Sequence, residues 1–189
     1  MRVADIRAAA AAAVALVLAG ATPASAAVQG IAQVCKGGQI CSWFKPVLPP
    51  VPGWTEDKAS GAANKLAILV PHGASFASAQ VRIYGRAFLN DEGLSVDQRV
   101  AISNKRWLEA SPGASAERLA DVVRAGGGAF QVYRYRNPGR AEQPVELTVF
   151  GEDRDGTGRA FGVLLVLTAT SEPRLNAAEA SFRSLLQRY

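Results

Sequence analysis

A single histidine, His72, sets the narrowest limit on the chemistry open to this chain. Any mechanism that moves a proton or activates a nucleophile through an imidazole must pass through it. It lies in Val70-Pro71-His72-Gly73-Ala74-Ser75-Phe76, a turn directly after an apolar run, with Ser75 close by in sequence. A serine–histidine pair also needs an orienting acid and an oxyanion hole, and no G-x-S-x-G elbow is present to display the serine. A lone histidine in a turn is ordinarily solvated, so no catalytic residue is assigned. A small hydrolase or transferase using His72 stands as the alternative.

A second group of residues points to binding. Tyr133-Arg134-Tyr135-Arg136, followed by Arg140, interleaves aromatic rings and cations. Arginine grips a carboxylate or phosphate through parallel N–H donors, and tyrosine offers flat contact area. Strand alternation places Arg134 and Arg136 on one face. Tyr133, Arg134, Tyr135, Arg136 and Arg140 are therefore the candidate ligand-binding residues, and the ligand they suit is anionic. The competing reading is an ordinary strand, its tyrosines packed under a helix and its arginines in water.

Other groupings carry less. Glu152-Asp153-Arg154-Asp155-Gly156 matches a calcium-binding loop only in fragments, because Glu152 is offset, the closing glutamate is missing and Arg154 sits among the acids. It reads as a hairpin turn, and no metal site is assigned. Gly126-Gly127-Gly128 lacks the lysine and hydroxyl residue of a phosphate-binding loop and reads as a turn. No cofactor is expected.

Compartment follows from the N-terminus. Arg2 and Arg7 stand against Asp5, the stretch from Ala8 to Gly20 is apolar, and Ala24-Ser25-Ala26 forms a small-residue cleavage site behind Pro23. The apolar stretch is shorter than the ~20 residues that span a bilayer. Residues 1–26 are thus read as a cleaved signal peptide, leaving a periplasmic or secreted protein that begins near Ala27, with no transmembrane segment after cleavage. The net charge of +5 is scattered rather than blocked, and nucleic acid is not expected as a partner outside the cytoplasm. In an oxidising compartment Cys35 and Cys41, separated by Lys-Gly-Gly-Gln-Ile, are expected to pair across a Gly37-Gly38 reversal. Their spacing is not C-x-x-C, and a zinc site would lack ligands.

These residues need a scaffold. Residues 27–60 read as the disulfide staple followed by a Pro/Trp-rich extended segment, since the prolines between Pro46 and Pro52 exclude regular helix and central strand. Residues 61–189 read as one α+β domain. Leu66–Val70 and Gln80–Arg86 have strand character, the latter by alternation. Ser95 with Gln98 forms a capping box for a helix over Leu94–Leu108. Strands follow over Leu119–Ala125, Ala129–Arg136 and Val145–Phe150. Arg159–Thr170 is apolar on both faces, which marks a central strand covered above and below. Ser171-Glu172-Pro173 opens a closing helix that buries Leu175, Ala178, Phe182, Leu185, Leu186 and Tyr189. Short turns between consecutive strands imply a largely antiparallel β-sheet flanked by helices.

The order of these elements resembles the PsbP-like α/β/α sandwich, shared with DcrB-type periplasmic proteins of bacteria. The residues that carry it are Phe130-Gln-Val-Tyr-Arg-Tyr, Pro144-Val-Glu-Leu, Val163-Leu-Leu-Val-Leu-Thr-Ala and Ala180-Ser-Phe-Arg-Ser-Leu-Leu. They lie in the C-terminal part of the chain and include no catalytic motif. The resemblance implies a binding or accessory protein without enzymatic activity. The expectation is therefore an exported binding or accessory protein of the bacterial envelope, its partner an anionic ligand or an envelope protein. A structural protein that adheres to envelope polymer through its basic charge is a further alternative.

Overall fold

The computed structural model describes residues 28–34 and 37–189. The expected signal peptide at 1–26 and Cys35 lie outside the described residues. In chain order the elements are β1 (Val28–Val34), β2 (Ile40–Pro46), β3 (Trp54–Glu56), α1 (Lys58–Asn64), β4 (Ala67–Pro71), β5 (Val81–Leu89), α2 (Val96–Ala110), β6 (Ser115–Arg118), β7 (Val122–Val123), β8 (Ala129–Arg136), β9 (Val145–Arg154), β10 (Ala160–Ala169) and α3 (Glu172–Arg188).

The run that is apolar on both faces is the middle of the sheet. β10 lies between β5 and β9 in the order β1-β2-β5-β10-β9-β8-β6, and every pairing is antiparallel. β4 pairs with β5 beside the contact of β2, β3 pairs with β4, and β7 pairs with β8. The α+β class with a large antiparallel sheet is the fold the chain adopts.

The register then sorts side chains into two layers, because neighbours across antiparallel strands share a face. Gly85, Leu165, Val149 and Val132 align on one face. There Ile83, Phe161, Val163, Leu165, Leu167, Leu147 and Val149 meet Leu175, Phe182, Leu185 and Leu186 of α3 in the main core. The opposite face carries Tyr133, Tyr135, Phe150 and Leu164, which pack against Val100 and Trp107 of α2. A third cluster, Ile68, Val70 and Ala79 with Tyr84 and Phe76, covers the β4 end. α2 and α3 thus lie on opposite faces of one sheet.

The N-terminal third differs from its expectation. The proline-rich stretch 47–53 carries neither helix nor strand, as its sequence implies, but the described residues before it belong to the sheet. β1 and β2 make a hairpin whose register runs from Val28↔Pro46 to Val34↔Ile40, and Phe44↔Ala87 joins it to β5. Phe44 lies 4.7 Å from the Phe161 ring, so aromatic packing anchors the hairpin. Pro46 ends β2, a place where a missing N–H costs little. The strand expected over Leu119–Ala125 is reduced to Val122–Val123. Just before it, Arg118 Nη2 binds both carboxylate oxygens of Asp121, at 3.1 and 3.2 Å.

Candidate functional site

α2 starts where its sequence says. Gln98 N donates to Ser95 Oγ at 3.2 Å and Ser95 N to Gln98 Oε1 at 2.8 Å, so two N-terminal donors are satisfied reciprocally. The preceding turn is locked by Asn90, whose side chain bonds both the N–H and the carbonyl of Leu94 at 3.0 Å. Farther along, the Trp107 ring lies 5.0 Å from that of Tyr135, and Trp107 Nε1 donates to the Arg136 carbonyl at 3.4 Å. The Tyr135 hydroxyl donates to Asn104 Oδ1. Burial raises the pKa of that hydroxyl, so it stays a neutral donor.

Held this way, α2 leaves a groove of about 630 Å³ between itself and β5–β10. That volume lies in the ~300–1,000 Å³ range of small-molecule sites. Phe88, Phe150, Leu164, Ile102 and Trp107 supply its apolar lining. Gly162 makes the floor possible: a Cβ there would meet the Phe88 ring at 2.4 Å and Arg99 Nε at 3.1 Å. At one end Arg99 is buried and donates to Glu152 Oε1 at 2.8 Å and to the Leu94 carbonyl. Its charge is spoken for. Arg86 and Arg106 also line the groove. Both are exposed, and neither has a carboxylate partner among the described residues. Asp91 and Glu92, on the turn after β5, contribute the acidic lining.

The residues singled out from the sequence fall elsewhere. Tyr133 and Tyr135 are buried beneath α2. Arg134 and Arg136 do share a face, but it is the α3 face. Arg134 Nη2 lies 3.0 Å from Glu179 Oε2, and Arg136 pairs with Glu172 at 2.5 Å and Glu117 at 3.2 Å. Arg140 is exposed, with its guanidinium 5.8 Å from the centre of the Trp107 ring. The five residues are thus split between the two faces and do not surround one opening. Helix-borne glutamates take up the two strand arginines, a pairing neither sequence reading anticipated.

His72 Nε2 donates to the Trp54 carbonyl at 2.9 Å, while Ser75 Oγ lies 2.9 Å from Ser78 Oγ. Each side chain of the sequence pair is engaged with another partner. In the acidic hairpin, Asp155 accepts from Thr157 N, Thr157 Oγ1, Arg159 N and Arg159 Nε. The Thr157 hydroxyl, followed by the Arg159 guanidinium and the two backbone N–H groups, holds its pKa well below the usual carboxylate range. The carboxylate closes the turn and is paired with Arg159, at 2.6 Å from Nη2. No group of three or more His, Cys, Asp or Glu that could hold a metal occurs among the described residues. Cys41 is disulfide-bonded; its expected partner, Cys35, is outside the described residues. No helix among the described residues is long and apolar enough to cross a membrane.

Among the described residues one acid is buried: Glu146, opposite Tyr135 in the β8–β9 register, which accepts from Thr148 Oγ1 at 2.8 Å. Desolvation raises its pKa, while the Thr148 hydrogen bond and the charge of Arg140 pull the other way. Nothing in its sequence setting, Pro144-Val145-Glu146-Leu147, distinguishes it from a solvated strand glutamate.

No family model matches the chain, and no curated protein matches it. Among solved structures it is similar to the Ran-binding protein Mog1p of Saccharomyces cerevisiae, at 12% identity and a TM-score of 0.39, over 84% of this chain and 85% of that one. A yeast Ran-binding protein does not fit the expectation of an exported binding or accessory protein of the bacterial envelope. That expectation is corrected here and is not carried further.

Proposed function

We propose that the groove between α2 and β5–β10 binds a small anionic amphiphile, an apolar body carrying one carboxylate or phosphate. One observation carries this reading: two guanidiniums, Arg86 and Arg106, line a groove beside Phe88, Phe150 and Leu164 and have no carboxylate partner among the described residues. Apolar contact supplies affinity roughly in proportion to the area removed from water. The arginines supply selection for an acid through charge-assisted hydrogen bonds. Asp91 and Glu92 repel an acid from their part of the groove, which fixes the direction in which such a ligand lies. Two further readings are proposed independently of the groove: the PsbP-like resemblance, supported by the order of the elements, and a cleaved signal at 1–26, supported by its charged, apolar and small-residue segments in order.

Calorimetric titration with dodecanoate and with dodecanol, both below their aggregation limits, tests the site. Dodecanoate should bind more tightly than the alcohol, and Arg86→Ala with Arg106→Ala should weaken the carboxylate about tenfold or more, the range of lost charged hydrogen bonds, while leaving the alcohol unchanged. Equal carboxylate binding by the double variant, or none by the wild type, would remove the proposal.

A further inference from the structure

The free edge of the sheet has an unusual composition. β1 is the terminal strand, and among the described residues it pairs with β2 alone. Exposed edges are ordinarily guarded by charged side chains, proline, bulges or brevity. The opposite edge, β6, fits that rule, with four residues of which Glu117 and Arg118 are charged. β1 does not. It is seven residues long, reads Val-Gln-Gly-Ile-Ala-Gln-Val, and contains neither a charge nor a proline.

That sequence is also nearly symmetric about Ile31. Laid antiparallel against a second copy with Ile31 opposite Ile31, Val28 faces Val34, Gln29 faces Gln33 and Gly30 faces Ala32. Each opposed pair has the same side-chain type or similar size. Every pair also lies on a common face, as antiparallel neighbours must. A two-fold axis demands this self-complementarity, since a residue i that meets j of the second copy implies that j meets i of it. Val28 is part of the main core, whereas Val34 is 76% exposed. The pairing would set each exposed Val34 beside the other copy's Val28, extending two apolar layers across the axis.

We propose that the chain forms a homodimer by antiparallel pairing of β1 with β1 of a second copy, centred on Ile31, which joins the two sheets into one. The inference is independent of the groove and of its ligand.

Sedimentation equilibrium of the purified chain tests it. The wild type should be a dimer. Ile31→Lys and Ile31→Glu should each be a monomer, because like charges then meet on the axis, and an equimolar mixture of the two should restore a dimer. Restoration also excludes an unfolded hairpin as the cause. Independently, Ile31→Cys should give a disulfide-linked dimer on mild oxidation, since opposed Cα atoms in an antiparallel pair stand roughly 4.5–5.5 Å apart, and Gln29→Cys should not. A monomeric wild type, a dimer that persists in both charged variants, a mixture that stays monomeric, or cross-linking at 29 in preference to 31 would each overturn the proposal.

Discussion

Arg99 Nη2 of α2 lies 2.8 Å from Glu152 Oε1 of β9, with the arginine side chain 7% exposed and the glutamate 51%. The asymmetry decides what each residue is worth. Arg99 also donates to the carbonyl of Leu94, so it ties the turn before α2 to the sheet. Removing it takes a charged donor from the Leu94 carbonyl, which keeps only the neutral Asn90 Nδ2, and unties the turn from Glu152 and the sheet. Removing Glu152 leaves a guanidinium that keeps its backbone acceptor.

Arg99→Met should therefore cost about 1.5–3 kcal/mol, the range for hydrogen bonds to charged groups, and should speed amide exchange in the first turns of α2. Glu152→Gln should cost under about 1 kcal/mol, as half-exposed pairs do. Urea unfolding of both variants checks the ordering. Equal losses would mean that the ion pair, rather than the Leu94 contact, governs this end of the helix.

The closing helix offers a test of the main core. Phe182 is fully buried between α3 and the sheet, and truncation to alanine leaves a cavity. Phe182→Ala should cost about 3–5 kcal/mol. Leu108→Ala on the exposed side of α2 should change stability by less than about 0.5 kcal/mol. A small loss at 182 would mean that α3 is not docked through this side chain.

Some of this architecture was legible in the residues and some was not. Ser95 and Gln98 announce their helix because a capping box is local, and the two-sided apolar run at 160–169 announces a central strand without help from elsewhere. β1 hides because Gln29, Gly30, Ala32 and Gln33 show no apolar alternation, and what makes it a strand is β2. α1 is seven residues with Gly61 inside it, too short for a periodic signal. The candidate site is the hardest part. Arg86, Phe88, Arg106 and Leu164 come from three elements that only the sheet register brings together. The shared face of Arg134 and Arg136 was readable, but their partners Glu179 and Glu172 lie on a helix distant in sequence.

Glu146 gives a pH dependence of definite sign. Desolvation raises its folded pKa above the unfolded value of about 4.3. Below that unfolded value the acid is protonated in both states and costs nothing. As the pH rises through it toward the folded pKa, the unfolded chain releases the proton first, and stability falls. Glu146→Gln should lose this decline, so the variant should gain stability relative to wild type between the two pKa values and above. Asp57 and Asp155, whose pKa values are lowered, act in the opposite direction and cancel in the comparison. Unfolding free energies of both proteins from pH 4 to 8 supply the test. A stability difference that does not grow with pH would show that Glu146 is not held as described.

The most direct test of the groove is to see where an amphiphile settles. Amide chemical shifts, followed by NMR while dodecanoate is added, report the location without assuming it. Saturable shifts should gather at Arg86, Phe88, Ile102, Arg106, Trp107 and Leu164, with His72 and its turn unmoved. Shifts centred on Arg134, Arg136 and Arg140, or a linear drift over the whole surface without saturation, would contradict the assignment of the groove as the binding site.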